Sequence, residues 1–513
     1  MNVTSHKSSL LGISDQHLGL WSKLLEHASQ GCGIKADSRQ VQTGDIFVAL
    51  PGNRAHGDDF ILDALQRGAK YVLGANSQAV PEHSRSKFLA CKAPALALGE
   101  LAAARYQTRQ RKFQLVGVTG TNGKTTICYL LEHLFSRAGY KVGVIGTVSY
   151  RWPGWEMQAN LTTPDCLQLH ELLARMQNDQ VDLVCMEVSS HALTQQRLAG
   201  LEFDLALFSN LSQDHLDYHG DMRDYFKAKA SLFTNPSLGL PKAILNMDDA
   251  YAQELAGLCS DVLGYGLQDS SLENYLQGKL LCLGRQGLRL EMHYQHKTWE
   301  LSSCLPGRHN ASNLLAAQAA ALALGLESEK LSVLQEFQDI PGRLQRVPNS
   351  QGLQIFIDYA HTPDALANVL AALRQMGFSR LLVVFGCGGD RDREKRPLMG
   401  RAVAEYADLA FLTSDNPRNE DPHQIMEQVL PGLQGCPQVL QEPDRRRAID
   451  LALGQLGTPD ALLVAGKGHE DYQQIGSQKF RFSDLETVQA LLEQKGQTVD
   501  SSAVQKNNAG LST

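Results

Sequence analysis

The sequence predicts an α/β protein of three domains, and three observations support this prediction. The chain has 513 residues, whereas a single domain has about 150. Apolar runs typical of buried strands alternate with helical patterns, which is the order of an α/β fold. Changes of pattern divide the chain into an N-terminal domain of residues 1–111, a central domain of residues 112–340 and a C-terminal domain of residues 341–493. We expect the polar segment 494–513 to be disordered.

Composition limits the class of function. Hydrophobic residues make up 43% and charged residues 20% of the chain, which is typical of globular proteins. The 48 Lys and Arg against 55 Asp and Glu give a net charge of -7, which argues against a nucleic-acid partner. The ten cysteines include no C-x-x-C pair, so neither a zinc ribbon nor a disulfide framework is predicted. Without a secretory signal pattern or a long apolar run, we expect a cytoplasmic protein with no stable membrane association.

Short strands are predicted in the N-terminal domain at residues 45–50 and 70–73, followed by a helix at residues 95–106. The small number of such runs indicates a small α/β domain. The central domain opens with an apolar strand at residues 113–118 and continues with alternating strands and helices. This alternation predicts a parallel sheet of the kind found in P-loop ATPases.

Residues 120–126, Gly-Thr-Asn-Gly-Lys-Thr-Thr, form a glycine-rich loop between that first strand and a helix. Glycines let backbone N–H groups turn toward an anion, and the helix N-terminus adds partial positive charge. Lys124 would then reach the terminal phosphates, and the Thr125 hydroxyl would hold Mg²⁺. The strict phosphate-loop pattern has glycine where Val118 stands. Even so, Lys-Thr-Thr in this context favours a nucleoside-triphosphate site over a plain glycine-rich turn.

Two later strands of the central domain also carry candidate site residues. Glu187 lies near the end of a buried apolar run, where an acid is costly unless it meets a cation such as Mg²⁺; the alternative is an acid at a strand end, exposed to water. His215 lies in the loop after the next strand run. The helix at residues 222–233 contains Lys227 and Lys229, and its periodicity predicts that both are solvated.

The C-terminal domain shows four apolar runs, which begin at Ile355, Leu381, Leu409 and Ala461 and each end in a polar or glycine-rich loop. Helical patterns lie between them. Repetition of strand, loop and helix predicts a doubly wound, Rossmann-like parallel sheet covered on both faces. Since ligands bind beyond the carboxyl ends of such strands, we expect the four loops to converge on one edge.

Residues 119–126 resemble the ATP loop of the Mur ligase family, which includes the folylpolyglutamate synthases, and the resemblance extends from residue 37 to about residue 484. It implies an ATP-dependent amide ligase that adds meso-2,6-diaminopimelate to UDP-N-acetylmuramoyl-L-alanyl-D-glutamate through an acyl phosphate, in peptidoglycan precursor synthesis. The implied partners are these two substrates and ATP, with Mg²⁺ as cofactor. We expect a monomer.

The resemblance also assigns residues to sites by position. Catalytic roles fall on Lys124, Glu187, His215 and Lys229, and Mg²⁺ would be held by Thr125, Glu187, His215 and carbamylated Lys229. The ATP contacts are Gly120, Thr121, Asn122, Gly123, Lys124, Thr125, Thr126, Asn310, Asn313, Arg343 and Asp358. The contacts to the UDP-linked substrate are Ser38, Asn53, Arg54, Ala55, Thr162, Thr163, Ser189, Gln195 and Arg197. The diaminopimelate contacts are Arg391, Asp415, Asn416, Pro417, Arg418, Gly466 and Glu470.

Acceptor choice is predicted from the sequence Asp-Asn-Pro-Arg at residues 415–418, which resembles the form found in diaminopimelate-adding members. The second carboxylate of meso-diaminopimelate would be clasped by Arg418. L-lysine lacks that carboxylate, and a site built for a polar group can reject the analogue without it by about 10⁴-fold. The alternatives are the same ligation with L-lysine or another diamine, a folylpolyglutamate synthase, and a P-loop switch or transport protein that ligates nothing.

Overall fold

The computed structural model describes residues 11–52, 56–76 and 80–495, apart from the side chain of Asp217. Three large sheets follow one another along the chain, with four, eleven and six strands, and a two-stranded hairpin completes the set. Within these described ranges, no helix combines the length and the apolar character needed to cross a membrane.

The N-terminal sheet is parallel with strand order β1-β2-β3-β4. Its strands are β1 Ile34–Lys35, β2 Ile46–Val48, β3 Tyr71–Gly74 and β4 Phe88–Ala90, and its helices are α1 Leu18–Ser29, α2 Ile61–Gln66 and α3 Pro94–Tyr106. Successive side chains of β2 point to opposite faces: Ile46 packs with α1 and α3, whereas Phe47 packs with α2. The two predicted strands and the predicted helix of this region are confirmed.

The central sheet has the order β15-β14-β13-β12-β11-β10-β5-β9-β6-β7-β8. Its strands are β5 Gln114–Thr119, β6 Val142–Ile145, β7 Ser149–Trp152, β8 Trp155–Gln158, β9 Leu183–Glu187, β10 Leu205–Phe208, β11 Lys242–Asn246, β12 Val262–Gly266, β13 Tyr275–Gly284, β14 Gly287–Tyr294 and β15 Lys297–Ser303. The predicted parallel arrangement holds from β13 to β6, but β14, β15, β7 and β8 are antiparallel additions. Short turns without helices connect these strands, and such turns allow only antiparallel pairing.

Helices cover both faces of the central sheet. They are α4 Lys124–Arg137, α5 Cys166–Asn178, α6 Ser190–Thr194, α7 Leu216–His219, α8 Met222–Thr234, α9 Ala250–Ala256 and α10 Arg308–Ala323. On one face, α4 and α10 bury Leu131 and Leu315 against the sheet. On the other, α5 and α8 bury Leu173 and Leu232. The strand β5 at the centre therefore has hydrophobic contacts above and below, which fixes the loop that follows it.

The C-terminal sheet has the order β16-β17-β21-β18-β19-β20 and is parallel except for β16. Its strands are β16 Gln345–Arg346, β17 Gln354–Asp358, β18 Leu381–Phe385, β19 Leu409–Leu412, β20 Gln438–Gln441 and β21 Ala461–Ala465, followed by the hairpin β22 Tyr472–Ile475 and β23 Gln478–Arg481. The four predicted strands are confirmed as β17, β18, β19 and β21.

One face of this sheet carries α11 Pro363–Gln375, α12 Lys395–Tyr406 and α13 Pro422–Val429, and the other carries α14 Arg445–Gln455 and α15 at residues 484–495. The prediction of disorder from residue 494 is wrong for Gln494 and Lys495, which belong to α15. The Lys495 ammonium lies 3.0 Å from an Asp450 carboxylate oxygen, a contact that supports the last turn of the helix. The rest of that predicted tail lies outside the described residues.

Candidate active site

The loop between β5 and α4 has the geometry of an anion site. Gly123, the residue before α4, has a φ of 89°, a left-handed backbone that glycine adopts without strain. A Cβ at this position would also lie 2.4 Å from Asn313 Oδ1. The Lys124 ammonium donates to the carbonyls of Gly120 at 2.9 Å and Thr121 at 2.8 Å. The ammonium therefore lies over the loop that precedes α4 and whose N–H groups are at the N-terminus of that helix.

Glu187 ends β9 beside this loop with only 1% of its surface exposed. Its Oε2 accepts from the Thr125 hydroxyl at 3.0 Å and from the Thr147 hydroxyl at 3.0 Å, and its Oε1 accepts from the Thr147 N–H at 2.8 Å. The prediction of a buried acid is confirmed, and the water-exposed alternative is wrong. A carboxylate and a hydroxyl are the oxygen ligands that Mg²⁺ prefers, so this pair fits the ion.

Lys229 is the clearest departure from the sequence prediction. Lys227 is exposed, as predicted, and it pairs with Asp224 at 2.8 Å, whereas Lys229 is 1% exposed. Its ammonium donates to the Gly120 carbonyl at 2.7 Å and lies 4.6 Å from the centre of the Tyr225 ring. Burial, together with repulsion from Lys124, lowers the pKa of Lys229 well below its usual value. The phosphate loop therefore supplies the carbonyl that makes this burial tolerable.

Among the described residues, His215 forms no hydrogen bond to Thr125 or to Glu187. It precedes α7 with a φ of 55°, and its Nε2 lies 3.4 Å from an oxygen of Asp214. The described part of the chain contains no group of three His, Cys, Asp or Glu side chains arranged to hold a metal ion. The assignment of His215 and carbamylated Lys229 to a metal thus stays a prediction.

Asn310 and Asn313 lie buried on the first turns of α10. The Asn310 amide donates to the Pro306 carbonyl at 2.7 Å, and the Asn313 amide donates to Asn310 Oδ1 at 3.0 Å. Asn313 lies close to Gly123, so the two asparagines border the phosphate loop of residues 120–126. The structure therefore brings these two predicted ATP contacts to the loop.

The C-terminal domain reaches the same loop. The Arg343 guanidinium donates to the Thr125 hydroxyl at 3.4 Å. Asp358 is buried at the end of β17, where its oxygens accept from the Leu344 N–H at 2.6 Å and the Ala360 N–H at 2.7 Å. Burial raises the pKa of Asp358 despite the nearby guanidinium. Asp358 thus fixes the turn that carries Arg343.

Three further contacts between these domains were missed by sequence reasoning. One Asp364 oxygen accepts from the Asn122 amide at 3.0 Å and from the Ser212 hydroxyl at 2.7 Å. The Lys395 ammonium lies 3.2 Å from an Asp214 oxygen. The partners are far apart in sequence, so no local pattern could indicate them.

Five of the predicted contacts to the UDP-linked substrate form one hydrogen-bonded group. The Thr163 hydroxyl donates to the Glu187 carbonyl at 2.8 Å and accepts from the Ser189 N–H at 3.0 Å. The other members join through three contacts: Arg197 to the Thr163 carbonyl at 2.8 Å, Arg197 to Gln195 Oε1 at 2.7 Å, and Thr162 to the Thr147 hydroxyl at 3.1 Å. Ser38 is buried in the N-terminal domain, in the short helix Ser38–Gln40. Asn53, Arg54 and Ala55 lie outside the described residues.

The predicted acceptor loop follows β19. Arg418 has a φ of 50°, and the hairpin β22–β23 holds its backbone: the Arg418 N–H donates to the Gln474 carbonyl at 3.1 Å, and the Gly476 N–H donates to the Arg418 carbonyl at 2.7 Å. The Arg418 guanidinium donates to the Gly389 carbonyl at 2.7 Å. A Cβ at Gly388 would lie 3.0 Å from this guanidinium and 3.8 Å from Arg391 Cγ, so both predicted arginines border Gly388.

The remaining acceptor residues lie at the end of β21. Gly466 has a φ of 117°, and a Cβ there would lie 2.5 Å from Asp415 Oδ2. The Asn416 amide donates to Glu470 Oε2 at 3.0 Å. Sequence reasoning missed Lys467, which contacts both Asn416 and Glu470; its position between two predicted contacts was the available signal.

A buried ion pair below this loop was also missed. Arg445 and Asp484 are both fully buried, and their closest nitrogen and oxygen atoms are 2.7 Å apart. The same guanidinium donates to the Ala465 carbonyl at 2.9 Å. It therefore supports the end of β21, from which Gly466 and Glu470 extend. Arg396, in the charged run at residues 390–396, is also buried, and it lies 2.8 Å from Glu420.

Comparison with known proteins gives a consistent result along the chain. Residues 32–106 match the model described as "Mur ligase family, catalytic domain", residues 118–321 match "Mur ligase middle domain", and residues 342–468 match "Mur ligase, glutamate ligase domain".

Among curated proteins, the chain is 51% identical to the UDP-N-acetylmuramoyl-L-alanyl-D-glutamate--2,6-diaminopimelate ligase of Lawsonia intracellularis, over 90% of this chain and 95% of that protein. It is 43% identical to the protein of the same name from a Nostoc species, over 90% and 94%. A solved structure of a ligase with that name is 34% identical, with a TM-score of 0.65 over 90% of this chain and 95% of that one. The MurF ligase of Thermotoga maritima in complex with ADP shares the fold, at 19% identity and a TM-score of 0.59 over 92% and 98%.

Proposed function

Because the chain belongs to the Mur ligase family, we propose that it is the ATP-dependent ligase that adds meso-2,6-diaminopimelate to UDP-N-acetylmuramoyl-L-alanyl-D-glutamate. The product is a peptidoglycan precursor. Relatives named for this reaction match about nine-tenths of the chain at 40–51% identity, and the acceptor loop carries the arginine that a second carboxylate requires.

The observation that carries the proposal is the contact between Arg343 and Thr125. An amide ligase must bring an amino acid to an activated carboxylate before water reaches it. Arg343 belongs to the domain that holds the acceptor loop, whereas Thr125 belongs to the phosphate loop, and the two side chains are within 3.4 Å. This contact supports a nucleotide site that would face the proposed acceptor domain.

The proposed reaction has two steps. A carboxylate oxygen of the D-glutamate residue attacks the γ-phosphorus of ATP, ADP leaves, and an acyl phosphate forms. The acceptor amine then attacks the acyl carbon, the amide bond forms, phosphate leaves and the amine loses a proton. Catalysis in such transfers is mainly positioning and charge stabilisation. Lys124 and the loop N–H groups would bind the phosphates of ATP. Arg343 would stabilise the negative charge that develops on the phosphoryl group during its transfer.

Mg²⁺ would be held by Thr125 and Glu187, where its charge would offset the repulsion between the phosphates and the substrate carboxylate. His215 and a carbamate on Lys229 are proposed as ligands of a second ion. Carbamylation needs a neutral amine, and the lowered pKa of Lys229 is consistent with this. Thr162, Thr163, Ser189, Gln195 and Arg197 would hold the peptidyl end of the substrate, and Ser38 with residues 53–55 its uridine nucleotide. We further propose a cytoplasmic monomer.

The test is a coupled assay on the purified chain. With ATP, Mg²⁺, the UDP-linked dipeptide substrate and meso-diaminopimelate, ADP and phosphate should appear in step with the UDP-tripeptide, as measured by liquid chromatography and mass spectrometry. Omission of either substrate should abolish turnover. ATP hydrolysis independent of both would contradict ligation and favour a nucleotide-driven switch. Equal use of L-lysine would contradict the proposed acceptor, and ligation of glutamate to a folate would indicate the folylpolyglutamate synthase alternative.

A further inference from the structure

Lys467 is a fully buried lysine in the acceptor region. It lies directly after Gly466 at the end of β21, with none of its surface exposed. Its ammonium is 3.1 Å from Asn416 Oδ1 and 3.2 Å from Glu470 Oε2. A buried ammonium is costly unless it is paired and hydrogen-bonded, so these two contacts are what make its position possible.

The first consequence is a fixed orientation for the Asn416 amide. Its Oδ1 accepts from the Lys467 ammonium and from the Gln474 N–H at 2.8 Å, and its Nδ2 donates to Glu470 Oε2. An amide oxygen accepts about two hydrogen bonds. Both are used here by the protein, so the amide cannot rotate without losing them. What Asn416 can offer a ligand is therefore its second N–H.

The second consequence concerns Glu470. Both of its side-chain contacts, from Asn416 Nδ2 and the Lys467 ammonium, fall on Oε2. Within the described ranges, no hydrogen bond reaches Oε1. The Glu470 side chain remains 18% exposed, so solvent or a ligand can approach it. Lys467 and Asn416 thus hold one oxygen and leave the other for an incoming ammonium group.

The third consequence is electrostatic. Among the predicted acceptor contacts, the positive charges of Arg391 and Arg418 match the negative charges of Asp415 and Glu470, and Lys467 adds one positive charge to this set. An excess of positive charge favours an acceptor with two carboxylates over L-lysine, which has one. Replacing Lys467 by a neutral residue would remove this excess and leave Glu470 without its cation.

We propose that Lys467 is a positioning residue that orients Asn416 and Glu470 and thereby selects a dicarboxylate amino acid over L-lysine. This inference rests on the proposed ligase function. Lys467 would act through its two neighbours rather than by touching the reacting atoms. Its loss should consequently change acceptor binding and acceptor choice while leaving the nucleotide site intact.

The experiment compares Lys467→Met with Lys479→Met. Both ammonium groups lie near the ring of Tyr472, at 5.5 Å and 3.9 Å from its centre, but Lys479 is exposed. We expect Lys467→Met to raise KM for meso-diaminopimelate by about tenfold or more, with KM for ATP unchanged. The preference for meso-diaminopimelate over L-lysine, measured as a ratio of kcat/KM values, should fall by about tenfold. Lys479→Met should match the wild type, and Lys467→Arg should restore part of the loss.

A double-mutant cycle with Glu470→Gln covers the case in which the single variant folds poorly. Removing both charges avoids an unpaired buried charge, so Lys467→Met in the Glu470→Gln background should fold, and the two changes together should raise KM by clearly less than the product of their separate effects. Additive effects would overturn the proposal, as would an unchanged KM in Lys467→Met or an equal rise in KM for ATP. The wild-type assay tests the proposed ligase function separately from the role of Lys467. If the wild type forms no amide with meso-diaminopimelate, the proposed ligase function is wrong.

Discussion

The guanidinium of Arg343 lies 3.4 Å from the hydroxyl of Thr125, across 218 positions of sequence. This contact joins the turn fixed by Asp358 to the first turn of the helix that follows the phosphate loop. We expect Arg343→Gln to lower kcat by about 100-fold, because a positioned cation on developing phosphate charge contributes on that order. ADP release in the complete assay is the measurement. Arg346→Gln is the control, since Arg346 also links two domains, through the Arg285 carbonyl at 2.7 Å, but away from the loop.

Replacing Glu187 by Gln should raise the Mg²⁺ concentration that the enzyme requires for activity. The substitution keeps the shape of the side chain but removes the charge that the ion would meet between Thr125 and Thr147. We expect the Mg²⁺ concentration for half-maximal activity to rise by about tenfold or more, with a lower kcat at saturation. A titration of activity against Mg²⁺ measures both. An unaltered titration curve would remove Glu187 from the metal site.

Arg418→Ala should raise KM for meso-diaminopimelate by about 100-fold or more, because the guanidinium would form a bidentate pair with the far carboxylate. KM for ATP should stay the same. Arg393→Ala is the matched control, since Arg393 lies in the neighbouring loop with 66% of its side chain exposed and pairs only with Glu420 among the described residues. Equal KM values in the two variants would contradict the acceptor site.

Lys229 should carry a carbamate in the active enzyme. Its burial, together with repulsion from Lys124, favours the neutral amine, and the neutral amine is the form that reacts with CO₂. Carbon-13 NMR after exchange with labelled bicarbonate should show a carbamate resonance in the wild type that is missing in Lys229→Ala. Lys227→Ala, which alters the exposed neighbour, should retain the signal. A fully active wild type without the resonance would contradict the assignment.

His170 predicts how stability changes in acid. It is fully buried, its Nε2 donates to the Ala199 carbonyl at 2.9 Å, and its Nδ1 accepts from the Thr108 hydroxyl at 2.6 Å. Burial lowers the pKa of His170 to about 4. The unfolded chain therefore binds a proton between pH 6.5 and about 4 that the folded chain does not, and stability should fall in this window by about 1.4 kcal/mol per pH unit. It should be fully retained above pH 6.5.

The measurement is the melting temperature of wild type and His170→Gln from pH 7.5 to pH 4.5. Glutamine can occupy the site without titrating, so the variant should lose less stability than the wild type as the pH falls. His296→Gln serves as a control, since His296 is exposed. Parallel curves for all three proteins would show that His170 does not titrate on unfolding.

The sequence predicted those parts of the site that are encoded locally. The phosphate loop needs only the spacing of its glycines before Lys124, and the burial of Glu187 follows from the apolar run around it. Lys229 is buried, although helix periodicity alone predicts it to be solvated; its assignment to the metal site by resemblance stays a prediction. It lies on the same face of α8 as the buried Tyr225, and its partner, the Gly120 carbonyl, is 109 positions away. Thr147 and Asp364 were missed for the same reason: their partners become neighbours only when strands and domains assemble.

The antiparallel strands at the two ends of the central sheet were also not predicted. Their alternating residues, as in β8 with its half-buried Trp155 and exposed Glu156, give a weaker signal than the continuous apolar runs of β9 or β21. The wholly buried strands are the ones that position Glu187 and Gly466. The site-bearing strands were consequently the most predictable part of the fold.

The hydrogen bonds that shape the segment from Asp415 to Arg418 come from Gly389, Lys467, Glu470, Gln473, Gln474 and Gly476, and all of these residues belong to one domain. Under the proposed function, the hydrogen bonds that shape the acceptor site would therefore come from within this one domain. A chimera in which this domain comes from a second such enzyme should show the acceptor preference of that enzyme, and the exchange would also replace Arg343, which contacts the phosphate loop.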